Sequence, residues 1–123
     1  MIRVVLDTDI LISALLSPTG APAQVFLRTI LGGDIQLCVS GKIYAEYEEV
    51  MRRPRLRRSE SEVTGALRAV RDHGYWVKPT VRLQACVDAD DDVFLECAVA
   101  ASADYLVTGN LRHFRKSGKV WKF

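Results

Sequence analysis

Three sets of acidic side chains are spaced so that one fold can gather them. Asp7 and Asp9 close an apolar run, Glu46 sits inside an amphipathic segment, and Asp88, Asp90, Asp91 and Asp92 crowd one short stretch. Glu46 lies three residues after Ile43 and four before Val50, at the margin of a helical apolar face where a carboxylate needs a compensating partner. Either an arginine or a bound cation would serve. Like charges ~4 Å apart repel by about 1 kcal/mol in water and about 4 kcal/mol at an effective dielectric of about 20, so converging carboxylates require a counter-charge. No histidine or cysteine is positioned to join them, which leaves hard oxygen ligands and favours Mg2+ or Mn2+ over Zn2+. Such a site binds a phosphate oxygen, lowers the pKa of a coordinated water and steadies a leaving oxygen.

The elements that position these groups follow from periodicity. Residues 2–6 are an aliphatic run of the kind found in buried parallel strands, ending at Asp7, and a helix follows. Pro18, Gly20 and Pro22 break the chain, after which Val25, Phe26, Thr29 and Ile30 recur at helical spacing up to Gly32 and Gly33. Residues 35–39 form a second strand. Ser40 caps the next helix, whose apolar face of Ile43, Tyr44, Tyr47, Val50 and Met51 stops before Pro54. Ser59 and Glu62 have capping-box spacing at the head of a helix that carries Val63, Leu67 and Val70 and ends at Gly74. Residues 75–77 make a short third strand. Residues 88–92 open a helix that buries Phe94, Leu95, Ala98 and Ala101, with acidic residues at the positive end of its dipole. Residues 105–107 and 120–123 complete the strands. Alternating strands and helices predict a parallel sheet covered on both faces. Functional groups in such sheets collect beyond the carboxyl ends of the strands, where Asp7, Asp9 and Asn110 fall.

Composition narrows the class. With 49% hydrophobic and 26% charged residues the chain is neither disordered nor fibrous. The apolar run at 10–16 is interrupted by Ser13, is too short to span a bilayer and follows two aspartates, so no membrane association is expected. Cys38, Cys86 and Cys97 are odd in number and set among apolar neighbours, which reads as buried thiols in a reducing, cytoplasmic compartment. The net charge of +2 is small, and any polyanion footprint must come from local clusters such as Arg52, Arg53, Arg55, Arg57 and Arg58, or the basic stretch from Arg112 to Lys122.

The segments VVLDTDILISALL, IYAEYEEV, DADDDVFLECA and ADYLVTGNLRHF, taken in order, resemble the four successive motifs of the PIN domain family, and of its toxin branch in toxin–antitoxin pairs. The resemblance implies a three-layer α/β/α PIN-like domain with a mostly parallel sheet of four to five strands, filling 1–123 as one domain. It further implies a divalent-metal-dependent endoribonuclease acting on RNA, a homodimer or higher oligomer, restrained by an antitoxin protein. Residue by residue, Asp7 matches the first acidic position and Glu46 the acidic residue of the helix after the second strand. Asp92 is the first choice for the third position and Asp91 the alternative. Thr108 and Asn110 match the strand-end motif that orients water or phosphate, and Asp9 stands where the family usually has asparagine, adding a charge beside the metal. The arginines at 52–58 would hold RNA phosphates. Thr8 and Ser13 read as partners of backbone groups, and Trp76 and Trp121 as packing residues.

Two other readings are available. Asp7 and Asp9 also satisfy the Asp-x-Asp of haloacid-dehalogenase-like phosphohydrolases, but the later acidic pair of that class is replaced here by Asn110. A catalytically inactive PIN-like module that binds RNA or an antitoxin is the other. Keeping Asp7, Glu46 and Asp92 together costs stability through repulsion, which a purely binding domain has no physical reason to bear.

Overall fold

The computed structural model describes residues 1–82 and 91–109, together with the backbone of 120–122. Five strands, β1 (Ile2–Leu6), β2 (Ile35–Val39), β3 (Tyr75–Trp76), β4 (Tyr105–Thr108) and β5 (Val120–Lys122), form one sheet in the order β3-β2-β1-β4-β5. Every neighbouring pair is parallel, with Val4 opposite Leu37 on one side and Tyr105 on the other. Consecutive residues Val4, Val5 and Leu6 are all buried, as are Leu37, Cys38 and Val39. Because side chains alternate faces along a strand, burial of successive residues means that both faces are covered. The covering helices are α1 (Thr8–Leu16), α2 (Ala21–Leu27), α3 (Gly41–Met51), α4 (Glu60–His73) and α5 (Asp92–Ala101). α5 packs on β1, β2 and β4, and α4 packs on β2. Among the described residues no single helix is long and apolar enough to cross a membrane.

Local chemistry explains the boundaries. Asp7 caps α1 and Ser40 caps α3 through the Ile43 amide. At α4 both halves of the capping box between Ser59 and Glu62 are formed. Val63, Leu67 and Val70 are buried as the stripe predicts. The helical pattern up to Gly32 is divided: α2 stops at Leu27 and the chain widens into a π-turn over Arg28–Gly32. There the buried Thr29 hydroxyl donates to the Phe26 carbonyl (2.6 Å), and Gly33 takes a left-handed φ of 74° that ends the turn. Pro54 does not merely stop α3; it opens a 3-10 turn, Pro54–Leu56, that turns the arginine stretch across the end of the helix.

The edge strand β3 is short because only Tyr75 and Trp76 pair with β2. Trp76 is exposed at the edge, tilted against Tyr44 at 5.4 Å between ring centres, with its indole N–H donating to Arg71 O. The guanidinium of Arg3 lies 4.5 Å from the Tyr75 ring centre. Cys38 and Cys97 are fully buried thiols, pushed up by burial to about 11 and about 12, and so stay protonated and unreactive at neutral pH. Cys86, Asp88, Asp90, Asn110 and the basic residues from Arg112 to Lys119 lie outside the described residues, as does Phe123.

One buried bond ties the layers together near the strand ends. The Tyr47 hydroxyl, on the inner face of α3, donates to the Leu6 carbonyl at 2.5 Å. Tyr47 is fully buried, and burial raises its pKa well above the ordinary phenol value, so the hydroxyl remains a donor. Tyr47→Phe keeps the ring and removes only this bond. It is expected to lower stability in urea unfolding by about 1 kcal/mol. An unchanged midpoint at unchanged m-value would mean that the bond contributes nothing.

Candidate active site

In the strand order, the chain runs outward from β1 through β2 to β3 and then crosses back to β4 on the other side of β1, so the direction of winding reverses between β1 and β4. Ligand sites of open parallel sheets form at such a switch point. Asp7 follows β1 and its amide donates to Val107 O of β4 (2.9 Å), while Gly109 follows β4. A cleft of about 420 Å³ opens here, with Asp7, Asp9, Glu46 and Asp91 among its lining residues.

Asp7, Glu46 and Asp9 are each held by neighbouring donors. Asp7 is 6% exposed; one oxygen accepts the Thr8 amide (2.8 Å) and the other the Thr108 hydroxyl (2.6 Å). Glu46, half-buried on α3, accepts from the Thr8 hydroxyl at 2.5 Å. Asp9 accepts the Gly109 amide through Oδ2 at 3.1 Å, while its buried Oδ1 has no hydrogen-bond partner. A Cβ built on Gly109 would stand 2.6 Å from Asp9 Oδ2, so a larger residue here would require this carboxylate to shift. Asp91 is the residue before α5 and lines the cleft. Asp92, one residue on, is 6% exposed and is not among the lining residues.

Thr108 is completely buried and faces Asp7, behind the cleft wall. Of the five arginines at 52–58, Arg53 and Arg55 line the cleft. Arg53 is gripped by Glu49 through two hydrogen bonds, of 3.3 and 2.8 Å. Arg52 pairs with Glu48 and Glu60, Arg58 with Glu62, and the exposed Arg57 takes a left-handed φ of 51°. Arg55 makes no ion pair among the described residues. Two contributors are not predicted by residue type. Thr8 serves a carboxylate on another helix as well as local backbone, and Gly109 supplies an amide to Asp9. The available sequence signal is a hydroxyl between two aspartates and a glycine directly after a strand-ending threonine.

The donor set fits a hard divalent cation in kind, being entirely carboxylate oxygen with one buried oxygen left over at Asp9. Among the described residues no three of the acidic groups form a closed ligand cage. The carboxylates instead take hydrogen bonds from Thr8, Thr108 and Gly109.

The profile of the PIN domain family matches residues 3–112. This chain belongs to the PIN domain family. An uncharacterized protein of Methanocaldococcus jannaschii is 30% identical over 112 residues, spanning 89% of this PIN chain and 71% of that protein. In fold, this PIN domain is similar to the crystal structure of VapBC2 from Rickettsia felis bound to a DNA fragment from their promoter. The TM-score is 0.70 at 13% identity, covering 99% of each chain.

Asp9 carries a measurable consequence of the crowding. Burial, and then the charge of Asp7, raise its pKa to about 6 against the lowering effect of the Gly109 and Ile10 amides. Between its ordinary value of 3.8 and about 6 the folded PIN domain therefore binds the proton more tightly than the unfolded chain. Ionised Asp9 destabilises the fold fully above about pH 6, and the penalty disappears as pH falls toward 4. Asp9→Asn, melted in EDTA, is expected to be more stable than wild type at pH 7.5 by about 1 kcal/mol or more. The gap should close by pH 4; a gap independent of pH would show that charge is not its origin.

Proposed function

We propose that this PIN domain is a divalent-metal-dependent endoribonuclease that hydrolyses RNA phosphodiester bonds, as the cytoplasmic toxin of a toxin–antitoxin pair. The observation that carries the reading is the cleft itself: Asp7, Asp9, Glu46 and Asp91 together at the switch point of the sheet, with arginines at the rim. PIN domains are generally nucleases, and those nucleases generally use divalent metals. Asp7, Glu46 and Asp91 would hold Mg2+ or Mn2+, with Asp9 beside them and Asp92 the alternative to Asp91. The chemistry such an ion supplies when bound is polarisation of a phosphoryl oxygen and acidification of water.

The chain's own residues do the rest. Thr108 and the Thr8 amide fix both oxygens of Asp7, so its orientation is set before substrate arrives. The Thr8 hydroxyl does the same for Glu46. Asp9, with its raised pKa and an oxygen free of hydrogen bonds, is equipped to hold a proton within the cleft. Arg55, and Arg53 braced by Glu49, offer cations to the RNA backbone at the rim, and Asn110 is proposed as a substrate-orienting group by its motif. The likeness of fold to VapBC2 supports an antitoxin partner, and the resemblance to the family's toxins supports a homodimer or higher oligomer. An inactive module binding RNA or antitoxin is the competing reading.

Cleavage of a mixed single-stranded and structured RNA pool, with Mg2+, Mn2+ or EDTA, separates the two. Cutting is expected with metal and not with EDTA. Outer-shell partners of metal ligands are worth roughly 10–100-fold, so Asp7→Asn and Glu46→Gln, which alter ligands directly, are expected to lose about 100-fold or more. Either variant cutting at the wild-type rate would remove that residue from the site. Thr8→Val, which keeps the shape and removes the donor to Glu46, should lose about 10-fold and need more metal for half-maximal rate. A rate loss with unchanged metal dependence would reduce Thr8 to a structural role.

A further inference from the structure

A second cavity, of about 380 Å³, lies beyond the carboxyl ends of β2 and β3 and is lined by Ser40, Gly41 and Lys42 at the start of α3, Lys78 and Arg82 after β3, and Glu96 of α5. We propose that it is a subsite for backbone phosphates of the RNA strand that enters the acidic cleft, on the side opposite Arg53 and Arg55. The inference rests on the nuclease reading and deepens it.

Among the described residues, three cations and one carboxylate line this cavity. Lys42, Lys78 and Arg82 are exposed, and none makes an ion pair among the described residues, whereas Arg28, Arg52, Arg53, Arg58 and Arg71 are each paired to an acid. Uncommitted cations that converge on a concavity repel one another and hold an anion at no cost in broken pairs. The backbone adds to this field. α3 has no acidic residue in its first turn, and the Ser40 hydroxyl is engaged with the Ile43 amide. The amides of Gly41 and Lys42 therefore point out of the helix without an intrahelical acceptor. Open space surrounds the position a Gly41 Cβ would take, so a phosphate oxygen can approach them.

The cavity and the acidic cleft draw lining residues from the same two helices, α3 and the start of α5. Lys42 precedes Glu46 by four residues, one turn along the same face of α3, and Arg53 lies just past the end of that helix. On α5, Asp91 lines the cleft while Val93 and Glu96 line the cavity. A polyanion meeting a cleft of four carboxylates is repelled unless cations hold it on both sides. Arg55 supplies one on one side of Glu46 and Lys42, Lys78 and Arg82 supply them on the other, which lays the strand along α3. Among the described residues the cavity is lined by cations and carries no aromatic side chain, which suits contact with phosphate.

The test is binding of a fluorescent single-stranded RNA to the full chain in EDTA, where cleavage does not interfere, across a series of salt concentrations. Lys42→Glu with Lys78→Glu is expected to weaken binding roughly tenfold or more and to reduce the salt slope by about 0.7 for each phosphate no longer neutralised. Lys42→Gln with Lys78→Gln, carrying less perturbation, should give a smaller loss in the same direction. Unchanged affinity and slope in the folded variants overturn the subsite, as does a loss confined to competitor poly-glutamate, which would assign the cavity to protein carboxylates. If wild type binds in this way yet cuts nothing with Mg2+ or Mn2+, the nuclease reading fails and the subsite stands. If it cuts and the variants bind as wild type does, the subsite fails alone.

Discussion

Asp7, Asp9, Glu46 and Asp91 line one cleft with carboxylates of like charge, and such charges repel by about 1 to 4 kcal/mol where they stand ~4 Å apart, according to how much water screens them. Carboxylates so arranged do not gather by themselves. Something outside the cleft must hold them at a cost in stability, and the organisation of the chain around β1 answers that demand. The strand is central in the sheet and buried on both faces, so its carboxyl end is the stiffest point available from which to project Asp7. The adjoining strand β4 delivers the Thr108 hydroxyl to Asp7 and the Gly109 amide to Asp9. α3 is fastened to β1 by Tyr47, which brings Glu46 within reach of Thr8.

The repulsion is thus resisted by two kinds of force acting at different distances. Apolar packing of Ile43, Tyr47 and Met51 fixes where α3 lies, and it acts over the whole helix without regard to charge. Short hydrogen bonds from Thr8, Thr108 and Gly109 then set individual oxygens. Hydrogen bonds to an ionised group are stronger than those between neutral groups, so these donors offset part of the mutual repulsion. Asp9 is where the compensation stops short. It receives amide hydrogen bonds, but burial and the charge of Asp7 outweigh them, and its pKa rises.

Much of this was legible in the sequence because it depends on local chemistry. The capping box at Ser59 and Glu62, the cap at Ser40 and the bounds of β2 are each set by a few adjacent residues, and they stand where spacing predicts. Glu46 was legible for a related reason: its position beside an apolar face is a property of one helix. The division of the third acidic position between Asp91 and Asp92 was not legible, since the two are neighbours at a helix start and a difference of about 100° around the axis decides which faces the cleft. Spacing and the family motif favour Asp92, while it is Asp91 that lines the cleft. The role of Thr8 was equally hidden. It depends on α3 crossing near the start of α1, a tertiary fact that no short window of sequence contains.

The overall charge says little, because charges act locally. A net charge of +2 averages over a surface on which opposite signs are sorted by element. Paired arginines such as Arg52 and Arg58 are neutralised where they stand and stabilise little, being exposed ion pairs. What a polyanion meets is the remainder: carboxylates at the end of β1, and cations left unpaired beside them. Position along α3 therefore carries more functional information than composition, because the helix presents Lys42 at its start and Glu46 in its second turn, and the turn that follows it presents Arg55. A cation, a carboxylate and a cation in that order attract a phosphate backbone at both ends of the helix and leave an acidic gap between. On the proposed reading, a divalent cation bound in that gap would make it attractive to the phosphate and so would couple strand binding at the cleft to metal binding through electrostatics.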